Sequence, residues 1–293
     1  MSMELVIPTF KRLDSQITLS NIPDSLLDSV TLVVQPQEEV EARKIHHNIF
    51  VVSGDNIGFA KTIRDLTYEF AVNRQSRFWI LDDDLKFLRH YKKDDGKLKK
   101  EHMIEKDFVE VLEKTNKWID EGFPHGAFGT TWNNPLDKFP YIENSRIMTN
   151  KYYDGKVISK VWNDIDWEGC CGAEDFYVTL QLLTKGHPNR VWYEFVVDPG
   201  ASHKDGGCSD YRDAEYHNQS CIELQKKFPQ FVTLKYKEDN NPNMKGTLLA
   251  KITLSSTIQS CAMCEETINK QLFPTLVNPP PPSVPGLIVT YSL

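Results

Sequence analysis

Short apolar runs alternate with amphipathic stretches along most of the chain. The runs have the length of buried strands, about four to eight residues, and they predict strands at 4–9, 30–35, 48–53, 77–81, 126–130, 156–161 and 190–197. Apolar residues at helical spacing predict helices at 59–73, 101–121, 174–184 and 210–227. Strands that alternate with helices predict an α/β fold, with a Rossmann-like, mostly parallel sheet flanked by helices and ligands at the carboxyl ends of the strands.

The alternation stops near residue 237, where a polar run occupies 238–246. Four consecutive prolines at 279–282 indicate an extended or disordered tail. We therefore predict a domain at 1–237 and a C-terminal extension at 238–293, to which the sequence assigns no role.

Composition narrows the class of protein. With 293 residues and 40% hydrophobic residues, the chain can bury a full core. It has no apolar run near the ~18 residues that a membrane helix needs, so we expect no membrane association. Residues 1–8 read as a strand and lack the basic and long apolar regions of a secretion signal. A cytoplasmic location is therefore expected.

Three adjacent carboxylates, Asp82, Asp83 and Asp84, follow the predicted strand 77–81. Carboxylates this close repel one another, which raises their pKa unless a cation neutralises them. Mg²⁺ and Mn²⁺ prefer such oxygen ligands, and the bound ion can neutralise a departing diphosphate. The alternative is one capping aspartate and two solvated ones. An isolated triplet favours that alternative, whereas a triplet at a strand end in an α/β pattern favours a metal site.

A second candidate site begins at Asn56-Ile57-Gly58 and continues to Lys61 and Arg64. A helix amino-terminus beside two cations suits a phosphate or a carboxylate. The alternative is the solvated face of an amphipathic helix.

Two further positions carry chemistry. Glu174 and Asp175 open a predicted helix, where they are either caps or, for Asp175, a general base for a hydroxyl acceptor. His203 follows the strand 190–197 and is either a metal ligand or an ordinary surface histidine.

Charge is distributed unevenly. The formal net charge of −7 excludes a generally basic nucleic-acid coat, yet residues 86–100 carry seven basic and only two acidic side chains. A solvated loop explains this segment on charge alone. Its position directly after the aspartates also fits contact with a polyanionic acceptor.

The order Pro8-Thr9, Asn56-x-Gly58, Asp82-Asp83-Asp84, Glu174-Asp175 and His203 resembles the GT-A glycosyltransferases, especially their family 2-like branch, over roughly residues 4–236. The resemblance implies a GT-A fold, a nucleotide-sugar donor, most simply a UDP-sugar, and a Mn²⁺ or Mg²⁺ cofactor. The segment 61–65 departs from the Ala-Arg-Asn that is common there, which leaves the phosphate contacts open.

The same resemblance implies roles for individual residues. Thr9, Gln35 and Asp55 would surround the nucleoside, with Asp83 also on the donor side, and Lys61 and Arg64 would lie near the diphosphate. Asp82, Asp84 and His203 would serve the metal, Asp175 would be the catalytic base, and Glu174 would orient a hydroxyl or the base.

A closer resemblance is to phage glycosyltransferases that modify hydroxymethylpyrimidines in DNA, relatives of the enzymes that make base J. It is carried by 7–12, 82–85, 206–209 with Arg212 and Glu215, and 228–232. It implies transfer of a sugar to the 5-hydroxymethyl group of a pyrimidine in DNA, such as hydroxymethylcytosine, in a host cytoplasm. DNA would cross 86–100, with Tyr91 or Trp132 available to stack on a base flipped out of the helix.

Other functions use the same residues. A glycosyltransferase that acts on a polysaccharide or protein hydroxyl would share every donor-side position. A metal-dependent nucleotidyltransferase or nuclease also uses clustered aspartates, and a noncatalytic sugar-nucleotide-binding module would leave Asp175 and His203 without a role. If Asp175 deprotonates the acceptor hydroxyl, the configuration at C1 of the sugar should be inverted. The sequence leaves retention of that configuration open as the alternative.

Overall fold

The computed structural model describes residues 3–54, 58–92, 98–131, 140–170, 172–199, 214–236 and 248–252. The strands are β1 Met3–Pro8, β2 Val30–Val34, β3 Ile49–Val51, β4 Arg77–Leu81, β5 Lys86–Lys92, β6 Leu98–His102, β7 His125–Thr130, β8 Tyr141–Glu143, β9 Asn150–Asp154, β10 Asn189–Asp198, β11 Val232–Tyr236 and β12 Leu248–Ile252. The α-helices are α1 Ile17–Asn21, α2 Glu39–Ile45, α3 Phe59–Thr67, α4 Glu105–Asp120, α5 Gly155–Val161, α6 Glu174–Thr184 and α7 Ala214–Lys227.

One ten-stranded sheet organises the molecule, in the order β3-β2-β1-β4-β9-β7-β10-β5-β6, with β8 paired to β10. The pairs β1–β2, β1–β4, β2–β3 and β7–β10 are parallel and the other five are antiparallel. Seven of the ten strands therefore run in the same direction. The other three, β5, β8 and β9, run in the opposite direction. The predicted α/β class, with a mostly parallel sheet flanked by helices, is confirmed.

Helices cover both faces of the sheet, which explains the continuous apolar runs in the sequence. In β4, Phe78 and Ile80 pack on the face covered by α3, α5 and α6. Their neighbours Trp79 and Leu81 pack on the opposite face, which α4 covers. A strand buried on both sides carries apolar residues at successive positions, as 78–81 do, so this part of β4 lacks the polar alternation of an exposed strand.

The strand predicted at 156–161 is wrong, because this segment is helix α5. The side chain of Asp154 accepts a hydrogen bond from the Lys156 amide at 3.2 Å, as a helix N-cap does. Gly155 packs so closely that a Cβ atom there would lie 2.3 Å from the Ser76 carbonyl oxygen. Ile158 then turns inward and is fully buried.

The charged segment after the aspartates is the hairpin β5–β6, not a loop, in the part that the structure describes. It continues from the sheet, because β5 pairs antiparallel with β10. Helix α4 therefore starts at Glu105, four residues later than the predicted start at 101.

The C-terminal elements pack on α6. A shared apolar cluster joins α6, α7 and β11–β12, and includes Phe176, Leu224, Phe228 and Val232. Strand β11 pairs with β12 across residue 237, so the domain boundary at that point stays a prediction. None of the helices in the described ranges combines the length and apolar character that a bilayer crossing requires.

Candidate active site

The aspartate triplet lies at the carboxyl end of β4, between β1 and β9 in the sheet. Its backbone is held by Thr18 of α1. The Thr18 hydroxyl donates to the Asp82 carbonyl oxygen and accepts from the Leu85 amide at 2.8 Å, and the Thr18 amide donates to the Asp83 carbonyl oxygen at 3.0 Å. On the other side, the Asp82 amide donates to the Thr149 carbonyl oxygen at 3.1 Å. The turn is therefore fixed by elements on both sides of β4.

Asp83, the middle aspartate, ties the loop after β1 to the end of β4. Its Oδ2 accepts from the Thr9 hydroxyl at 2.7 Å, and its Oδ1 accepts from the Arg12 guanidinium at 3.0 Å. The amide of Gln16 donates to the Thr9 oxygen at 2.8 Å. Both oxygens of this buried carboxylate are engaged by side chains of the protein.

Around Asp82 and Asp84, acidic side chains outnumber basic ones. The pKa of the Asp82 carboxyl is held well above its usual range, because burial removes it from water and the charges of Asp175 and Asp84 act in the same direction. The ammonium of Lys151 opposes this shift, and Arg12 lies 3.5 Å from Asp84. A bound cation would stabilise the negative charge of these carboxylates.

The chemistry of these side chains fits Mg²⁺ or Mn²⁺, since both prefer carboxylate oxygens. Asp83 already uses both oxygens, so Asp82 and Asp84 are the carboxylates of the triplet suited to an ion. Within the described ranges, no three His, Cys, Asp or Glu side chains form a metal-binding cluster. His203, the third predicted ligand, lies outside those ranges, and metal binding stays a prediction.

Asp175 lies in the first turn of α6 and is held near Asp82 by Thr149 and by Lys151 of β9. Its Oδ2 accepts from the Thr149 amide at 3.1 Å, and its Oδ1 pairs with the Lys151 ammonium. Glu174 beside it accepts from the Gly172 amide at 3.1 Å, which lies before the helix, so this bond does not cap an amide of α6. The predicted base and the aspartate triplet are thus neighbours in space.

Gln35, at the end of β2, links the sheet to α3. Its amide nitrogen donates to the Thr62 hydroxyl oxygen at 3.2 Å, and Thr62 in turn donates to the Gly58 carbonyl oxygen at 2.9 Å. Gly58 has a φ of 83°, which favours glycine, and it starts the helix. Gln35 therefore holds the first turn of α3 against the carboxyl end of β2.

Of the two cations predicted for the diphosphate, Lys61 is exposed, whereas Arg64 is committed to ion pairs. The guanidinium of Arg64 pairs with Asp65 and Glu168, and its hydrogen bond to Asp65 is the main cause that raises its pKa. These contacts join α3 to the segment before α6 and include no aspartate of the triplet. Asp55, predicted at the nucleoside, lies outside the described residues.

Glu38, beside the triplet, was not predicted from the sequence. It accepts from the Lys11 amide at 2.7 Å, and its pKa is raised chiefly by burial, with the charge of Asp83 adding to the effect. Lys11 adopts a φ of 57°, an uncommon conformation for a residue other than glycine. The two basic residues Lys11 and Arg12, shortly after an apolar strand, were the sequence signal for a polar cluster here.

The basic hairpin is partly neutralised. The Lys99 ammonium pairs with Glu101 at 2.5 Å and lies over the Tyr91 ring, 5.6 Å from its centroid. Arg89 pairs with Asp107, Glu110 and Glu194. Residues 93–97 and Trp132 lie outside the described ranges. Fewer positive charges are therefore available here than the sequence count indicates.

Comparison with known proteins identifies the family. In fold, the chain is similar to mannose-1-phosphate geranyltransferase from Thermus thermophilus, with a TM-score of 0.41 and 13% identity over 75% of this chain and 79% of that protein. In sequence, it is 26% identical over 243 residues to the beta-glucosyl-HMC-alpha-glucosyl-transferase of Enterobacteria phage T2, covering 78% of this chain and 82% of the phage protein. The protein of the same name from Enterobacteria phage T6 matches to the same extent.

The profile of the TET-Associated Glycosyltransferase family matches residues 3–207. This span contains Thr9, the aspartate triplet and Asp175, and the relationship to phage HMC glycosyltransferases inferred from the sequence is confirmed. The chain belongs to the TET-Associated Glycosyltransferase family and is a glycosyltransferase.

Proposed function

We propose that this enzyme transfers a sugar from a nucleotide-sugar, most simply a UDP-sugar, to a hydroxymethylated pyrimidine in DNA. One observation carries the proposal: Thr149 and Lys151 hold Asp175 beside Asp82 of the aspartate triplet. A donor-side turn and a carboxylate able to accept a proton are the two parts that transfer to a hydroxyl requires. The phage relatives support the acceptor class.

The donor binds at the carboxyl ends of β1, β2 and β4, where Thr9, Gln35 and Asp83 lie. The role of Asp83 is structural, because its hydrogen bonds hold the ends of β1 and β4 together. Asp82 and Asp84 would hold Mn²⁺ or Mg²⁺. The ion, when bound, neutralises the charge that develops on the departing diphosphate.

Asp175 accepts the proton of the acceptor hydroxyl. The hydroxyl oxygen forms a bond to C1 of the sugar as the bond from C1 to the diphosphate oxygen breaks, and the electron pair leaves with the diphosphate. Attack from the opposite face inverts the configuration at C1. Glu174, at the same helix terminus, orients the acceptor.

The acceptor hydroxyl has two possible sources. One is the 5-hydroxymethyl group itself. The other is a hydroxyl of a sugar already attached to that group, which the name of the phage relatives, beta-glucosyl-HMC-alpha-glucosyl-transferase, favours. Both are alcohols, so Asp175 can deprotonate either in the same way.

The test is transfer to defined DNA. The enzyme is incubated with Mn²⁺, a panel of nucleotide-sugars, and duplexes that contain hydroxymethylcytosine, hydroxymethyluracil, β-glucosylated hydroxymethylcytosine or plain cytosine. Nucleoside mass spectrometry is expected to show one added sugar on a hydroxymethylated or glucosylated base and none on cytosine, and NMR of the product gives the anomeric configuration. Transfer to a polysaccharide or protein hydroxyl, with every DNA unchanged, would contradict the proposal.

A further inference from the structure

Lys151 is a buried lysine that the predicted roles do not use. It lies in β9 opposite Ile80 of β4, and it is 5% exposed. An ammonium group is almost never buried this far unless a partner compensates for the lost hydration. Its partner is the carboxylate of Asp175, the proposed proton acceptor.

Two neighbouring residues hold both oxygens of that carboxylate. Lys151 pairs with Oδ1, and the Thr149 amide donates to Oδ2 at 3.1 Å. A carboxylate offers about four lone-pair positions. Two donors therefore fix its plane and leave capacity for an acceptor hydroxyl.

The same segment holds the aspartate turn. The Thr149 carbonyl oxygen accepts from the Asp82 amide at 3.1 Å, and Asn150 pairs with Leu81 in the sheet. The Asn150 side chain binds the amide of Phe128 at 2.7 Å and its carbonyl oxygen at 3.3 Å, which fixes β9 against β7. Residues 149–151 thus contact the donor-side turn and Asp175 together.

Thr149 adopts a φ of 58°. Positive φ is a genuine outlier for a β-branched residue, and such strain persists only where the surroundings over-determine it. Here the two backbone hydrogen bonds of Thr149, to Asp82 and to Asp175, impose the conformation.

We propose that Lys151 is a positioning residue: together with Thr149 it holds the Asp175 carboxylate at a fixed place relative to the Asp82 turn. This inference rests on the proposed function of Asp175. Misplacement of a reacting group by about 1 Å can lower the rate about 100-fold. Loss of one of the two residues that hold Asp175 should therefore lower kcat.

Lys151→Met tests the proposal by steady-state kinetics with donor and acceptor varied. We expect kcat to fall about 100-fold while KM for the donor stays within about twofold, because the donor-side carboxylates are unchanged. Lys151→Arg, which restores an ion pair, is expected to recover most of the lost kcat. Lys160→Met is the matched control. It removes the charge of an exposed lysine on α5, and its kcat and KM should equal those of the parent.

A second test uses a double variant and remains valid even if Lys151→Met alone folds poorly. The double variant removes both charges of the ion pair together, so neither charge is left buried without its partner. If Lys151 acts through Asp175, the double variant Lys151→Met/Asp175→Asn has the same kcat as Asp175→Asn alone. A further drop of about tenfold or more, a Lys151→Met enzyme with parental kcat, or a raised donor KM with kcat preserved would each overturn the inference. A parent enzyme without transfer to any hydroxymethylated DNA refutes the proposed function instead.

Discussion

The hydroxyl of Thr9 donates a 2.7 Å hydrogen bond to Oδ2 of Asp83 and so joins the end of β1 to the end of β4. Arg12 takes the other oxygen of the same carboxylate. The middle aspartate is therefore a structural anchor, and we assign the donor-side chemistry to its two neighbours. Each assignment leads to a different mutational phenotype.

Thr9→Val should destabilise the fold, because it keeps the shape of the side chain but leaves Oδ2 of buried Asp83 without its donor. An unsatisfied buried group costs about 1–3 kcal/mol. The measurement is the free energy of unfolding in urea. Thr115→Val is the matched control: the Thr115 hydroxyl is buried in α4 without a hydrogen-bond partner among the described residues, so valine should be neutral or stabilising. Equal losses in the two variants would contradict the anchoring role.

Asp84→Asn should abolish transfer and weaken binding of Mn²⁺ and donor while the melting temperature changes little. Asp83→Asn should lower the melting temperature, since an amide can no longer accept from both Thr9 and Arg12. Calorimetric titration with Mn²⁺ and nucleotide-sugar, beside thermal denaturation, separates the two effects. An Asp84→Asn enzyme with parental turnover would remove Asp84 from the metal assignment.

Asp175→Asn should retain donor binding and lose turnover, because an amide cannot take the proton of the acceptor hydroxyl. A loss of kcat with an unchanged donor dissociation constant is the expected pattern. Preserved kcat with a raised donor KM would instead identify Asp175 as a binding residue or a helix cap.

The sequence predicted the sheet core and the aspartate turn because strands buried on two faces leave continuous apolar runs, as in β4. It could not predict α5 at 156–161, whose β-branched residues resemble a strand. The helix depends on the Asp154 cap and on the close contact of Gly155 with Ser76, far away in sequence. Only tertiary structure reveals that contact.

Individual side-chain roles were less predictable. Arg64 lies in the predicted helix, but in the last turn of α3 and not at its amino terminus, and its partner Glu168 is contributed by a distant segment. Lys151 gave no sequence signal, because a lysine in a strand usually faces water. Its burial follows from Asp175, which only the packing of α6 against β9 brings near.

His125 should make stability depend on pH. It is fully buried, and burial, the largest cause, lowers its pKa from 6.5 to about 3. The unfolded chain takes up a proton below about pH 6.5 that the folded protein refuses until about pH 3. Stability therefore falls as the pH drops through this window, by at most about 1.4 kcal/mol per pH unit for this one group.

His125→Gln removes that contribution, and an amide can still donate to the His187 carbonyl oxygen that His125 binds at 2.9 Å. Urea denaturation at about pH 7 and about pH 5 should show a smaller loss of stability in the variant than in the parent. His47→Gln, at an exposed histidine, should keep the parental slope. Parallel profiles for His125→Gln and the parent would show that His125 titrates normally.

The basic hairpin is the proposed contact with acceptor DNA. Replacing Lys92, Lys93, Lys99 and Lys100 by alanine should weaken DNA binding and its dependence on salt. Each phosphate contact contributes about −0.9 to the slope of log K against log salt on duplex DNA, so four contacts would change it by up to about 4. Lys99 already pairs with Glu101, and a change nearer 3 is therefore expected.

The control removes the same number of charges elsewhere. Lys44, Lys106, Lys117 and Lys156 are exposed on α2, α4 and α5, and their replacement by alanine shifts the net charge equally. Fluorescence anisotropy with a hydroxymethylcytosine duplex at several salt concentrations gives both slopes. A flatter slope for the hairpin variant alone assigns the phosphate contacts to the segment 92–100, because a general charge effect would alter both variants. Equal slopes in parent and hairpin variant would exclude this segment from the acceptor site, and a parent that binds no DNA would favour a polysaccharide or protein acceptor.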